Sequence, residues 1–101
     1  MGLTYQVREE KKFTYVSMYK DSTVLVGLGR INKAHLEIVT IFEKYRHNGY
    51  GTALVKFILS HFSIKEVELV AEHPFLKDLY ESYGFEEYER TPLLICLRKK
   101  R

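Results

Sequence analysis

The sequence predicts an α+β domain: a mixed, mostly antiparallel sheet with one βαβ unit in its middle and two main helices. Three observations predict it. Leu3 to Phe42 alternates at strand period with no helical stripe, and the period changes to that of a helix immediately after the turn Gly49-Tyr50-Gly51. Short apolar runs then flank a second helical stripe that stops at Gly84.

The first four elements are strands over Leu3 to Arg8, Phe13 to Tyr19, Val24 to Ile31 and His35 to Phe42. The connections Glu9-Glu10-Lys11-Lys12, Lys20-Asp21-Ser22 and Asn32-Lys33-Ala34 are short enough for hairpins, so these strands form a meander. Leu54, Phe57, Ile58 and Phe62 recur at helical spacing, with Lys56 and Ser60 opposite, which gives a helix from about Tyr50 to Phe62. Val67 to Ala71 is a short apolar strand, expected parallel to His35 to Phe42 because a crossover helix joins parallel neighbours. Pro74 suits the first turn of a second helix, and Leu76, Leu79, Tyr80 and Tyr83 form its i, i+3, i+4, i+7 stripe. Phe85 to Arg98 reads as two strands around Thr91-Pro92.

A chain of 101 residues, 46% of them hydrophobic, suits a single domain spanning 1–101. No stretch approaches the roughly 20 apolar residues of a membrane-spanning helix, and Met1 to Glu10 is too polar for a secretory leader. Met1-Gly2 lacks the Ser or Thr of a myristoylation signal, with Gln6 in its place. One cysteine, Cys96, excludes an internal disulfide; flanked by Leu94, Ile95 and Leu97 it reads as an inert strand thiol, and a reducing cytoplasm fits. Net charge is +3, and four of the sixteen basic residues form the terminal run Arg98-Lys99-Lys100-Arg101. That run is a solvated end or a weak polyanion contact, and with no interleaved aromatics it does not argue for nucleic acid.

Between the fourth strand and the first helix lies Arg46-His47-Asn48-Gly49-Tyr50-Gly51-Thr52. The first N–H groups of a helix have no intrahelical partners and carry the positive end of its dipole, so such a turn binds anions unless it is simply a tight turn. Gly49 and Gly51 would let a diphosphate approach the main chain. No Gly-Lys-Ser/Thr closes the loop, and Gly27-Leu28-Gly29 lacks a third glycine, so two nucleotide-binding motifs are set aside.

The pattern Arg46-x-x-Gly49-x-Gly51, after an apolar strand and before an amphipathic helix, resembles the coenzyme A pyrophosphate loop of the GNAT (Gcn5-related N-acetyltransferase) family. Leu79-Tyr80-Glu81-Ser82-Tyr83-Gly84-Phe85 resembles the same family's second signature, and the likeness covers roughly Val24 to Arg98. The family usually has two helices between its first two strands; there is no room for them here, so this would be a compact member.

The resemblance implies N-acetyl transfer from acetyl-CoA to a primary amine by direct attack. It implies that the fourth and fifth strands splay and that the pantetheine arm bonds to main-chain groups near Ile41 and Glu43, one N–H polarising the thioester carbonyl. The pyrophosphate would lie on Arg46 to Thr52. His73 stands where relatives often carry an asparagine that contacts pantetheine, and Tyr80 occupies the position of the acid that protonates the leaving thiolate. For the base, Glu37 and His35 are both candidates, two apart on one strand face; local text favours Glu37 and ungapped counting favours His35. Without the two helices the acceptor side would be open, favouring a protein or peptide amine, or a partner chain such as a second copy completing the pocket. The alternatives are a catalytically silent coenzyme A-binding module and a basic interaction protein. The histidines at 35, 47, 61 and 73 have no metal-binding spacing, and no metal is expected.

Overall fold

The computed structural model describes residues 2–100; Met1, which opens the start set aside above as a myristoylation signal, and Arg101, which ends the basic run, lie outside the described residues. Strands β1 (Leu3–Glu10), β2 (Phe13–Lys20), β3 (Val24–Asn32) and β4 (His35–Ile41) form the expected antiparallel meander. The β1–β2 turn is Lys11-Lys12, with Lys11 at φ 49, so no helix intervenes between these strands. Helix α1 (Tyr50–His61) crosses to β5 (Glu66–Val70), which lies parallel to β4. Helix α2 (Lys77–Ser82), β6 (Phe85–Arg90) and β7 (Leu94–Lys99) follow, and the seven strands run in the order β1-β2-β3-β4-β5-β7-β6.

One face of this sheet is covered and the other is bare. Val16, Met18, Leu36, Val67, Leu69, Ile95 and Leu97 are buried on the covered face, under Leu54, Val55 and Ile58 of α1. Full burial of each aliphatic side chain contributes about 1.5–3 kcal/mol, so these layers dominate stability. Tyr5 stacks on Phe57 with ring centroids 3.9 Å apart, tying β1 to α1. Tyr80 meets Phe85 edge-on at 6.1 Å, which sets α2 on the same face. His35, Ile38, Glu66, Glu68 and Cys96 occupy the opposite face, on which no helix lies among the described residues.

The second helix differs from expectation. It begins at Lys77, and Pro74 sits in the turn before it: Lys77 N–H donates to the Pro74 carbonyl at 3.2 Å, and Leu76, at φ 64, is the residue before the first helical turn. A left-handed leucine cannot continue a helix, so the stripe starts one turn late. Gly84, at φ 95, ends the helix as a C′ glycine.

Candidate active site

Parallel pairing of β4 with β5 is confined to His35 with Glu66 and Leu36 with Val67. A register shift against β3 then leaves Glu37 as an extra residue between the pairs Ile31–Leu36 and Arg30–Ile38. Such a bulge bends its strand, and beyond it β4 turns away from β5. Phe42 N–H donates to the Val26 carbonyl at 2.9 Å. Alternation therefore aims the N–H and C=O of Ile41 toward β5, where no strand meets them.

A cavity of about 610 Å³ opens in that gap, a volume usual for a ligand site. Val39, Thr40 and Ile41 line it from β4, and Tyr45, Arg46, His47, Gly49, Tyr50, Gly51 and Thr52 from the loop and α1. Val70, His73, Phe75 and Leu76 close the far side. The first intrahelical bond is Ala53 N–H to the Gly49 carbonyl at 3.1 Å, and the helix has no side-chain cap. Among the described residues, the N–H groups of Tyr50, Gly51 and Thr52 thus have no protein partner and carry the positive end of the α1 dipole.

Several expected contacts fall elsewhere. The Ile41 carbonyl already accepts from Arg46 Nε at 2.9 Å, which takes one of its two lone pairs, and the Ile41 N–H remains on the open side. Glu43 is off the lining, since the chain leaves β4 at Phe42 and Glu43 opens an exposed 3-10 turn, Glu43–Tyr45. Asn48 is off it too: its Nδ2 donates to the carbonyls of Tyr45 and Arg46 at 3.2 and 3.1 Å, bracing the loop from behind. Gly49 is required by its φ of 78, with open space around it, whereas a Cβ at Gly51 would collide with the Phe75 ring and Leu76. Gly51 thus lets the α2 approach pack on α1, a reason distinct from closeness to a diphosphate. Val39, Thr40, Tyr45, Val70, Phe75 and Leu76 complete the lining without having been singled out; the apolar pair after His73-Pro74 was the one available signal.

A smaller cavity, about 140 Å³, adjoins the first and shares Val39, Val70, His73 and Phe75 with it. Glu37 and Tyr80 both line it; His35 does not. Glu37 Oε1 accepts from Arg30 Nε at 2.9 Å. His35 lies between Glu66, 3.6 Å from Nδ1, and Glu68, 3.5 Å from Nε2, and Nε2 is buried without a hydrogen bond. Tyr80 is 1% exposed, and its hydroxyl bonds to no protein group among the described residues. Burial pushes its phenol far above the ordinary tyrosine range, so it holds its proton at neutral pH. Cys96 lies half-buried in β7, its thiol pushed up by burial and then by Glu68, Glu89 and Glu66.

No helix is long and apolar enough to cross a membrane, and no cluster of metal-ligating side chains occurs among the described residues. The chain is similar in structure to an acetyltransferase from Thermus thermophilus, with TM-score 0.68 and 13% identity over 87% of this chain and 64% of that one. It is similar to a protein described as a candidate phosphinothricin N-acetyltransferase, with TM-score 0.70 and 13% identity over 98% of both chains. A spermidine N-acetyltransferase SpeG chimera from Vibrio cholerae and hSSAT gives TM-score 0.69 and 15% identity over 90% of this chain and 67% of that one. At such identities the likeness is one of fold, and the chain spans only 64% of the length of the Thermus protein. A family model for the "Acetyltransferase (GNAT) domain" matches residues 3–92. Strand order, splayed β4 and β5, and this match over most of the chain agree, and the protein belongs to the GNAT acetyltransferase domain family.

Proposed function

We propose that the protein is an N-acetyltransferase that uses acetyl-CoA to acetylate a primary amine, presented by a protein or peptide, in a reducing cytoplasm. The observation that carries this reading is the set of unpartnered N–H groups at Tyr50, Gly51 and Thr52, opening onto a cavity where β4 and β5 part. They suit a pyrophosphate, with Arg46 and His47 beside them and His73 across the gap on the pantetheine side. The Ile41 N–H is an orphan aimed into the gap, the group this fold offers to an acyl carbonyl.

Bound acetyl-CoA supplies an activated acetyl thioester. The amine must reach it uncharged, and with an ordinary pKa of about 10 it arrives protonated. Glu37 accepts that proton, directly or through water; His35, removed from the cavity lining, is the less favoured base. The nitrogen lone pair then forms the new C–N bond, the C–S bond breaks, and the buried Tyr80 hydroxyl gives its proton to the departing sulfur. As the intermediate collapses the nitrogen sheds its surplus proton, which restores the Tyr80 hydroxyl, and Glu37 releases to solvent the proton it took from the ammonium, so that ammonium and thioester give amide, thiol and one proton.

Thermal unfolding with acetyl-CoA tests the donor half. Ligand at about 100 times its dissociation constant adds about 2.7 kcal/mol, a shift of several degrees in a chain this size. Mass spectrometry of peptides incubated with labelled acetyl-CoA tests the acceptor half. No thermal shift refutes the donor assignment; a shift without any acetylated product indicates a silent coenzyme A binder.

A further inference from the structure

The smaller cavity is lined from both faces of the sheet. Leu36, Leu69 and Tyr80 reach it from the covered face, and Glu37, Ile38 and Glu68 from the bare one. It is therefore a slit through the sheet, beginning where β4 and β5 stop pairing after Leu36 and Val67. At its bare-face mouth, Glu37 stands on the β4 lip and Glu68 on the β5 lip.

From this geometry we infer that the acceptor enters the slit from the bare face and is chosen for carrying a second positive charge beside the reacting amine. The inference rests on the reading above and names the acceptor chemistry of that same site. The Tyr80 ring is buried, but its hydroxyl bonds to no protein group among the described residues and Tyr80 lines the slit, which leaves that hydroxyl available to a polar group from outside the chain. Around the mouth the charge is acidic although the whole chain carries +3. Glu66 lies two residues before Glu68 on the same face, about 7 Å along the strand, and Glu89 reaches the same patch through Cys96, which pairs with both Glu68 and Glu89. Cations share this face, with Arg30 bonded to Glu37 and stacked 4.8 Å over Phe13, Arg98 opposite Glu66 in the β5–β7 register and 4.5 Å over Tyr88, and His35 between Glu66 and Glu68, yet Glu37, Glu66, Glu68 and Glu89 outnumber the two guanidinium groups. Exposed Ile38 and Val70, 46% and 56% accessible, give the lips an apolar surface for a methylene stem.

A lysine side chain in a basic segment fits this chemistry: a flexible apolar stem, an ammonium drawn to the mouth, and a neighbouring cation left on Glu66 and Glu68. A free linear polyamine has the same chemistry. In both, Glu37 deprotonates the leading ammonium and the second charge stays outside.

The test uses the full chain at saturating acetyl-CoA with peptides containing one lysine flanked by arginine, serine or glutamate, alongside a linear triamine and an aliphatic monoamine. The expected order of kcat/KM is arginine over serine over glutamate, and triamine over monoamine, by about tenfold per step and less at high salt. Glu68→Gln, isosteric and partly exposed, should raise KM for the cationic acceptors about fivefold with a smaller change in kcat, and Glu66→Gln should act alike. Circular dichroism and the acetyl-CoA thermal shift verify that both variants fold and hold donor. A triamine outpacing every peptide supports the second-charge requirement and overturns the protein or peptide acceptor of the proposed function in favour of a free polyamine. Acetylation indifferent to flanking charge, with the thermal shift intact, overturns this inference alone; loss of the shift in the unmodified chain overturns the underlying function.

Discussion

Replacing Tyr80 with Phe separates chemistry from architecture. The ring is 1% exposed and meets Phe85 edge-on at 6.1 Å, and both features survive the change. The hydroxyl bonds to no protein group among the described residues, so its loss leaves no partner stranded. An unsatisfied buried hydroxyl costs about 1–3 kcal/mol. Because this one opens onto the slit, part of that cost is already relieved, and the variant should match or exceed the parent in urea denaturation by up to about 1 kcal/mol. Turnover should move the other way: losing the proton donor to a departing thiolate lowers kcat about 100-fold, roughly 2.7 kcal/mol of barrier. A further signature appears at high pH. Folding raises the Tyr80 pKa above its unfolded value of about 10, so the unfolded chain releases that proton first. The associated stability is complete below about pH 10 and declines above it by up to about 1.4 kcal/mol per pH unit. Tyr5 and Tyr88, also raised by burial, remain in both proteins, so the difference in their alkaline limbs isolates Tyr80. A Phe variant that keeps full kcat would refute the acid role. One that loses about 2 kcal/mol or more would show a hydrogen bond where none is assigned.

Gly49→Ala places a Cβ in open space, so its cost is the left-handed backbone at φ 78, about 1–2 kcal/mol, read as a lower urea midpoint at unchanged slope; an unmoved midpoint would show that the turn relaxes freely. Arg46→Ala frees the Ile41 carbonyl and removes a cation from the cup, lowering stability by about 1 kcal/mol and weakening acetyl-CoA binding about tenfold by calorimetry. Arg46→Lys should recover most of the affinity and little of the stability, because a point charge replaces a strand-bound fork; equal recovery of both would contradict that division.

The order of elements was legible because each carries its own local signal. Alternation marks Phe13–Lys20 and Val24–Asn32, helical spacing joins Leu54 to Ile58, and Gly84 sits where a positive φ ends a helix. What escaped the sequence depends on contacts between distant residues. Pro74 followed by a 3.6-residue stripe is a sound helix start, yet Leu76 takes a φ of 64 while packing with Phe75 over Gly51, some 25 positions earlier. The same contact explains why a glycine assigned to ligand approach is required by the protein's own aromatic ring. Arg46 enters from the sequence only as part of the expected pyrophosphate loop, and its reach back to Ile41 exists only once the 3-10 turn folds the loop onto the strand end.

The slit shows how one inserted residue converts a sheet into a site. Had β4 kept its register past Leu36, its N–H and C=O groups would have continued to pair with β5, closing the gap through which Tyr80 and Glu37 reach one space. The extra residue at Glu37 bends the strand, leaves the Ile41 N–H unpaired, and sets a carboxylate on the bare-face rim. Those unpaired groups weaken the sheet, and the deficit is met only in part, by the Arg46 guanidinium at the Ile41 carbonyl. The remaining donors, at Ile41 and at the start of α1, belong to residues that line the larger cavity, which adjoins the slit. A fold that leaves polar main-chain groups unsatisfied along the cavity, with a protonated phenol at one side of the adjoining slit and a carboxylate at the other, would gain stability from an extended polar ligand, and in the proposed reaction that ligand's acyl carbonyl would lie between Tyr80 as acid and Glu37 as base.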